Sequence, residues 1–161
     1  MKKILCLVLI GVCGLFVAQC GEDEWVDDGQ RFISFTWANG TANEYFDHMP
    51  SATYGNTAEA YTLVIEAKDN SGSQASQIRF STSRVADSNW VNSSFEVEAK
   101  LNTSNGYTTL TASSKKLTIQ DDGRESGVFR ATFSELIVVT PSSQATLRDG
   151  VIQADVVNNI N

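Results

Sequence analysis

Phe95-Glu96-Val97-Glu98-Ala99-Lys100-Leu101 is the stretch that decides the fold. Apolar Phe95, Val97, Ala99 and Leu101 alternate with charged Glu96, Glu98 and Lys100. Side chains of an extended chain point to opposite faces in turn, so one face here is apolar and the other ionic. Wound as a helix, the same residues would spread their apolar groups around the axis. The reading extends outward in both directions. Ile78 and Phe80 alternate with Arg79 and Ser81, Tyr61, Leu63, Ile65 and Ala67 share one face, and so do Ile33, Phe35 and Trp37 within Arg31–Ala38. On the other side, strands are expected at Tyr107–Ala112, Lys115–Gln120, Val128–Phe133, Leu136–Thr140 and Val151–Val157.

Turn chemistry separates these runs. Asp69-Asn70-Ser71-Gly72, Asn102 to Gly106, Asp121-Asp122-Gly123 and Asp149-Gly150 join Asx residues to glycine, which accepts positive φ at little cost. Pro50 and Pro141 fall outside the alternating runs, as they should if those runs donate ladder hydrogen bonds. Gly40 to Ala60 has no periodicity and is expected to be a loop with a short helix. The whole implies an all-β fold, an antiparallel meander of about eight or nine strands forming a sandwich or a barrel in one domain over residues 31–161.

The N-terminus says where the chain goes. Lys2 and Lys3 precede the unbroken apolar run Ile4 to Ala18, and the chain then turns acidic at Gly21-Glu22-Asp23-Glu24. That is the layout of a secretory signal, and the run is shorter than the roughly 20 residues a transmembrane helix needs. The ending Phe16-Val17-Ala18-Gln19-Cys20 resembles a bacterial lipobox, with Gln19 departing from the small residue usual before the cysteine. The resemblance implies a signal over residues 1–19, a lipid on Cys20 and a stable tether to the outer membrane. Cys6 and Cys13 would leave with the signal, so no second cysteine remains for a disulfide. Stability is then expected from a core, which a body of this size can build.

The chain carries 12 Lys+Arg against 19 Asp+Glu. Losing Lys2 and Lys3 leaves 10 against 19, a formal charge of −9. Such a body disfavours nucleic acid and anionic membrane surfaces as partners. Residues 20–30 form an acidic tether, with Glu22, Asp23, Glu24, Asp27 and Asp28 close behind Cys20. The run reads as a solvated linker. It also resembles the export signal of Bacteroidetes surface lipoproteins, which would place the body outside the cell. From Ala52 to Val157 the segments resemble small β-rich Bacteroidetes lipoprotein domains of unknown function. Ala52-Thr53-Tyr54, Leu63-Val64-Ile65, Ile78-Arg79-Phe80, Leu117-Thr118-Ile119, Gly127-Val128-Phe129-Arg130-Ala131-Thr132-Phe133 and Asp149-Gly150-Val151-Ile152 carry that likeness. Such domains have no assigned catalytic residues, so none is transferred.

Chemistry has few footholds. His48 is the only histidine and reads as an ordinary surface or loop residue. No G-x-S-x-G turn and no glycine-rich phosphate loop occurs, and the composition cannot supply a closed zinc site. Asp121, Asp122 and Glu125 in one turn, and Asp69 with Asn70 in another, are the oxygen ligands to weigh for calcium. Neither follows EF-hand spacing, and turn capping explains both. Trp25, Trp37, Trp90, Tyr45, Tyr54 and Tyr107 could line a sugar or lipid site, or pack at the edge of a core. The expectation is a lipid-anchored envelope protein without cofactor or metal, non-enzymatic, binding an envelope protein or a glycan. The alternatives are a lipocalin-like carrier of an apolar ligand and a carboxylate-based hydrolase. An empty interior would favour the carrier, and a filled one the binding or structural role.

Overall fold

The computed structural model describes residues 29–38, 43–57, 59–85, 90–103, 106–139 and 144–159. Ten strands follow in chain order: β1 (Phe32–Trp37), β2 (Asn43–Phe46), β3 (His48–Asn56), β4 (Tyr61–Lys68), β5 (Gln77–Arg84), β6 (Phe95–Thr103), β7 (Gly106–Lys115), β8 (Thr118–Asp121), β9 (Val128–Val139) and β10 (Gln144–Asn159). A single 3-10 turn at Trp90–Asn92 interrupts them among the described residues. From β3 to β7 each strand pairs antiparallel with the next, which is the expected meander.

The sheet curls into a ring because β10 serves three neighbours. Along one edge it pairs antiparallel with β9. Along the other it pairs antiparallel with β1 and then, further along, parallel with β3. The circuit β3–β4–β5–β6–β7–β9–β10 closes where β7 meets β9 through one residue pair, Thr111 with Val139. β2 extends one margin beyond β1, and β8 the other beyond β9. Apolar faces turn inward around this ring. Phe35, Phe46, Phe80, Phe95, Phe129 and Trp90 are its largest fully buried side chains, and they belong to one contiguous cluster.

The alternating runs of β1, β4, β5 and β6 bury the face expected of them. Four readings need correction. Residues 40–60 hold no helix where described; they form β2 and β3, the latter burying Pro50, Ala52 and Tyr54. Pro50 thus lies inside a strand, beside a bulge where the missing donor is tolerated. Val128–Phe133 and Leu136–Thr140 are not separate strands but the single strand β9, its buried side switching from Phe129, Ala131 and Phe133 to Leu136 and Val138 at the exposed pair Ser134-Glu135. Asp149-Gly150 is no turn but a bulge inside β10, where the buried side switches from Leu147 to Ile152 and Ala154. Joining two expected strands and adding β2 and β3 brings the count to ten.

Among the described residues three non-glycines have positive φ: Met49 at 51°, Ser114 at 57° and Asp149 at 52°. Each sits at a register shift. β3 gains a residue against β4 between His48 and Ser51, β7 against β6 opposite Phe95 and Val97, and β10 against β1 opposite Ser34 and Thr36. A left-handed residue is one standard way to insert an extra residue and re-aim the strand.

Candidate functional site

The bulge of β10 builds a surface site with chemically distinct walls. Ile33 and Phe35 of β1 point into the core, so Ser34 and Thr36 present their side chains on the outer face. Tyr45 lies opposite Ser34 on β2, and its inner neighbour Phe46 is buried. On the other side of β1, the extra residue of β10 places Asp149 against the gap between Ser34 and Thr36. Ser34, Phe35, Thr36, Glu44, Tyr45 and Asp149 border one solvent-open cleft. The cleft has a hydroxyl floor from β1, an aromatic wall from β2 and a carboxylate wall from β10.

Both walls are braced from behind. The Tyr45 ring stacks on Phe32 at 5.1 Å between centroids and 24° between planes, while the residue keeps 46% of its surface exposed. Glu44 accepts a hydrogen bond from Trp37 Nε1 at 2.9 Å, which fixes the other end of β2. Asp149 owes its place to Gly150, which lies opposite Phe133 of β9. A Cβ at Gly150 would come within 2.0 Å of the Phe133 ring, so only glycine lets the ring close over the bulge. Aspartate is among the few residues that enter the left-handed region readily.

The remaining sequence candidates are distributed differently. Trp90 is 1% exposed and packs against Tyr54 at 5.9 Å, with the Arg84 guanidinium 5.6 Å from its ring centroid. Its Nε1 meets no hydrogen-bond partner among the described residues. Tyr54 is also buried and donates from Oη to the Asp122 carbonyl. Trp37 packs against the core, so of the described candidate aromatics Tyr45 is the most exposed. Trp25, Cys20 and the Tyr107 side chain lie outside what is described. His48 is half-buried and borders a second cleft with Met49, Ser51, Glu66, Lys68 and Gln77.

The acidic turn is occupied by its own backbone and by arginines. Asp121 Oδ1 accepts from Gly123 N at 2.7 Å and Oδ2 from Arg130 Nη1 at 3.1 Å. Asp122 accepts from Arg124 N at 3.2 Å and Arg124 Nε at 3.0 Å, and Glu125 is exposed. Asp69 caps Ser76 N at 2.9 Å, and Asn70 caps Gly72 N at 2.7 Å. Among the described residues no group of three or more His, Cys, Asp or Glu side chains gathers to hold a metal ion. Sequence reasoning included Tyr45 but missed Ser34, Thr36 and Asp149. Their meeting depends on β1 pairing with β10 more than a hundred residues away, and only the Asp-Gly dipeptide hinted at it.

Comparison of the chain with protein families, with curated proteins and with solved structures finds no match. No helix among the described residues is long and apolar enough to cross a membrane.

Proposed function

We propose that this is a lipid-anchored cell-envelope protein with a non-enzymatic binding or structural role, tethered through Cys20 to the outer membrane. The observation that carries the binding reading is the packing inside the ring among the described residues. Aromatic and aliphatic side chains from both margins of the sheet meet in one cluster, where a carrier of the lipocalin kind needs a lumen. Recognition on such a body belongs to the outer sheet faces and their clefts. The lipobox-like ending at Cys20 supports the anchor, and the acidic residues 22–28 support a spacer that like charges extend.

Two measurements test this. The mature protein should partition into detergent, and Cys20→Ser should leave an unprocessed or soluble form. A free, unmodified N-terminus downstream of Cys20, found by mass spectrometry, removes the anchor. Protease treatment of intact cells decides the side of the membrane, since cleavage of the body requires outward display and full protection a periplasmic position. A hydrolytic activity abolished by replacing a single Asp or Glu, with folding intact, overturns the non-enzymatic role.

A further inference from the structure

We propose that the cleft between Tyr45 and Asp149 binds a neutral glycan, an inference that rests on the binding role proposed above and names its ligand. A pyranose ring has two kinds of surface, patches of C–H bonds on its faces and hydroxyls around its rim. The cleft offers a partner for each. Tyr45 presents the face of a ring whose negative quadrupole attracts C–H dipoles. Its stacking on Phe32 holds it in place before any ligand arrives, so little side-chain entropy is lost on binding. Ser34 and Thr36 supply hydroxyls that both donate and accept, and Asp149 supplies an acceptor.

The dimensions agree. Tyr45 and Asp149 stand on β2 and β10 with β1 between them, two strand spacings or roughly 10 Å apart. One sugar ring can therefore lie against Tyr45 while its rim reaches β1 and β10. Charge selects the class. Asp149 borders the cleft, Arg148 opposite Thr36 is paired with Glu135 at 3.2 Å, and the chain as a whole carries −7, so uronic or sulfated sugars are repelled. The left-handed bulge is part of the same device: it spends backbone strain to hold a carboxylate where an even strand would have none.

The test uses the full chain, purified in a detergent without a sugar headgroup, and calorimetric titration with cellohexaose, maltohexaose, mannohexaose, xylohexaose and chitohexaose. At least one probe should bind with a dissociation constant between about 10 µM and 1 mM, because each hydrogen bond gained replaces one to water. Tyr45→Ala should weaken it at least about tenfold and Tyr45→Phe by less than about threefold, since stacking is what the ring provides. Asp149→Asn tolerates the left-handed backbone and should weaken binding several-fold with the melting temperature unchanged. Raising salt from 50 to 500 mM should leave the affinity of wild type as it was. Tyr45→Thr serves in place of Tyr45→Ala if the latter melts early. Failure of every probe to bind, or Tyr45 variants binding as wild type does, overturns the glycan site while leaving the anchor untouched. Cleavage of a bound probe instead overturns the non-enzymatic role while leaving the site in place.

Discussion

β5 and β10 are built on opposite plans. β5 is eight residues with Ile78 and Phe80 inward and Arg79 outward, paired without a register shift to β4 and β6. β10 is sixteen residues, changes its inward side at Asp149-Gly150, and exchanges one neighbour for another along its length. The uninterrupted strand contributes burial. The interrupted one spends part of its regularity to join β1, β3 and β9 and to aim a side chain. In this molecule core burial and the proposed recognition cleft fall on different kinds of strand.

That division can be broken at its stable end first. Phe80 is fully buried and packs against Phe133 in a tilted pair at 6.0 Å, so Phe80→Ala should cost about 3–5 kcal/mol. Phe129→Ala should cost a similar amount. Either loss is comparable to the whole stability of a typical domain. Urea unfolding that shifts by less than about 1 kcal/mol would show that the core is not where the ring is held.

At the bulge the expected effect is smaller and depends on a neighbour. Gly150→Ala drives a methyl into the Phe133 ring and should cost about 1–3 kcal/mol as overpacking. Combining it with Phe133→Leu should recover part of that loss, a coupling a double-mutant cycle reads directly. Strict additivity would mean that the ring does not close over the glycine.

The smallest effect has the opposite sign. Met49 is 77% exposed with φ of 51°, so its side chain contributes little burial while its backbone is strained. Met49→Gly should therefore stabilise by about 0.5 kcal/mol. Glycine at the regular position Thr62 should destabilise by about 0.5–1 kcal/mol. Equal losses at both positions would erase the distinction between the two kinds of strand.

How much of this was legible follows the same line. β4, β5 and β6 were read with their buried faces because nothing interrupts their alternation. β3 was missed because the residues it buries, Pro50, Ala52 and Tyr54, include a proline and a small side chain, which give too little apolar contrast for the alternation to show. Asp149-Gly150 was read as a turn because a bulge and a turn need the same thing, a residue with positive φ beside one without a side chain. Of the cleft, only Tyr45 stood out by type. Ser34 and Thr36 are ordinary outward strand residues until β10 is placed beside them.

The position of β10 has a consequence for the order in which the molecule can be made. β1 leaves the ribosome first and β10 last, yet β10 is the neighbour that β1 and β3 share. β2 can shield one edge of β1 early, but the other edge, with Phe32 to Phe35, stays open until nearly the whole chain has emerged. Pairings this distant in sequence form slowly, and an open apolar strand invites wrong partners in the interval. A chain cut short before Gln144 would lack the strand that closes the ring. Such a protein is completed in one step at the end of its synthesis, and the cell has to guard it until then.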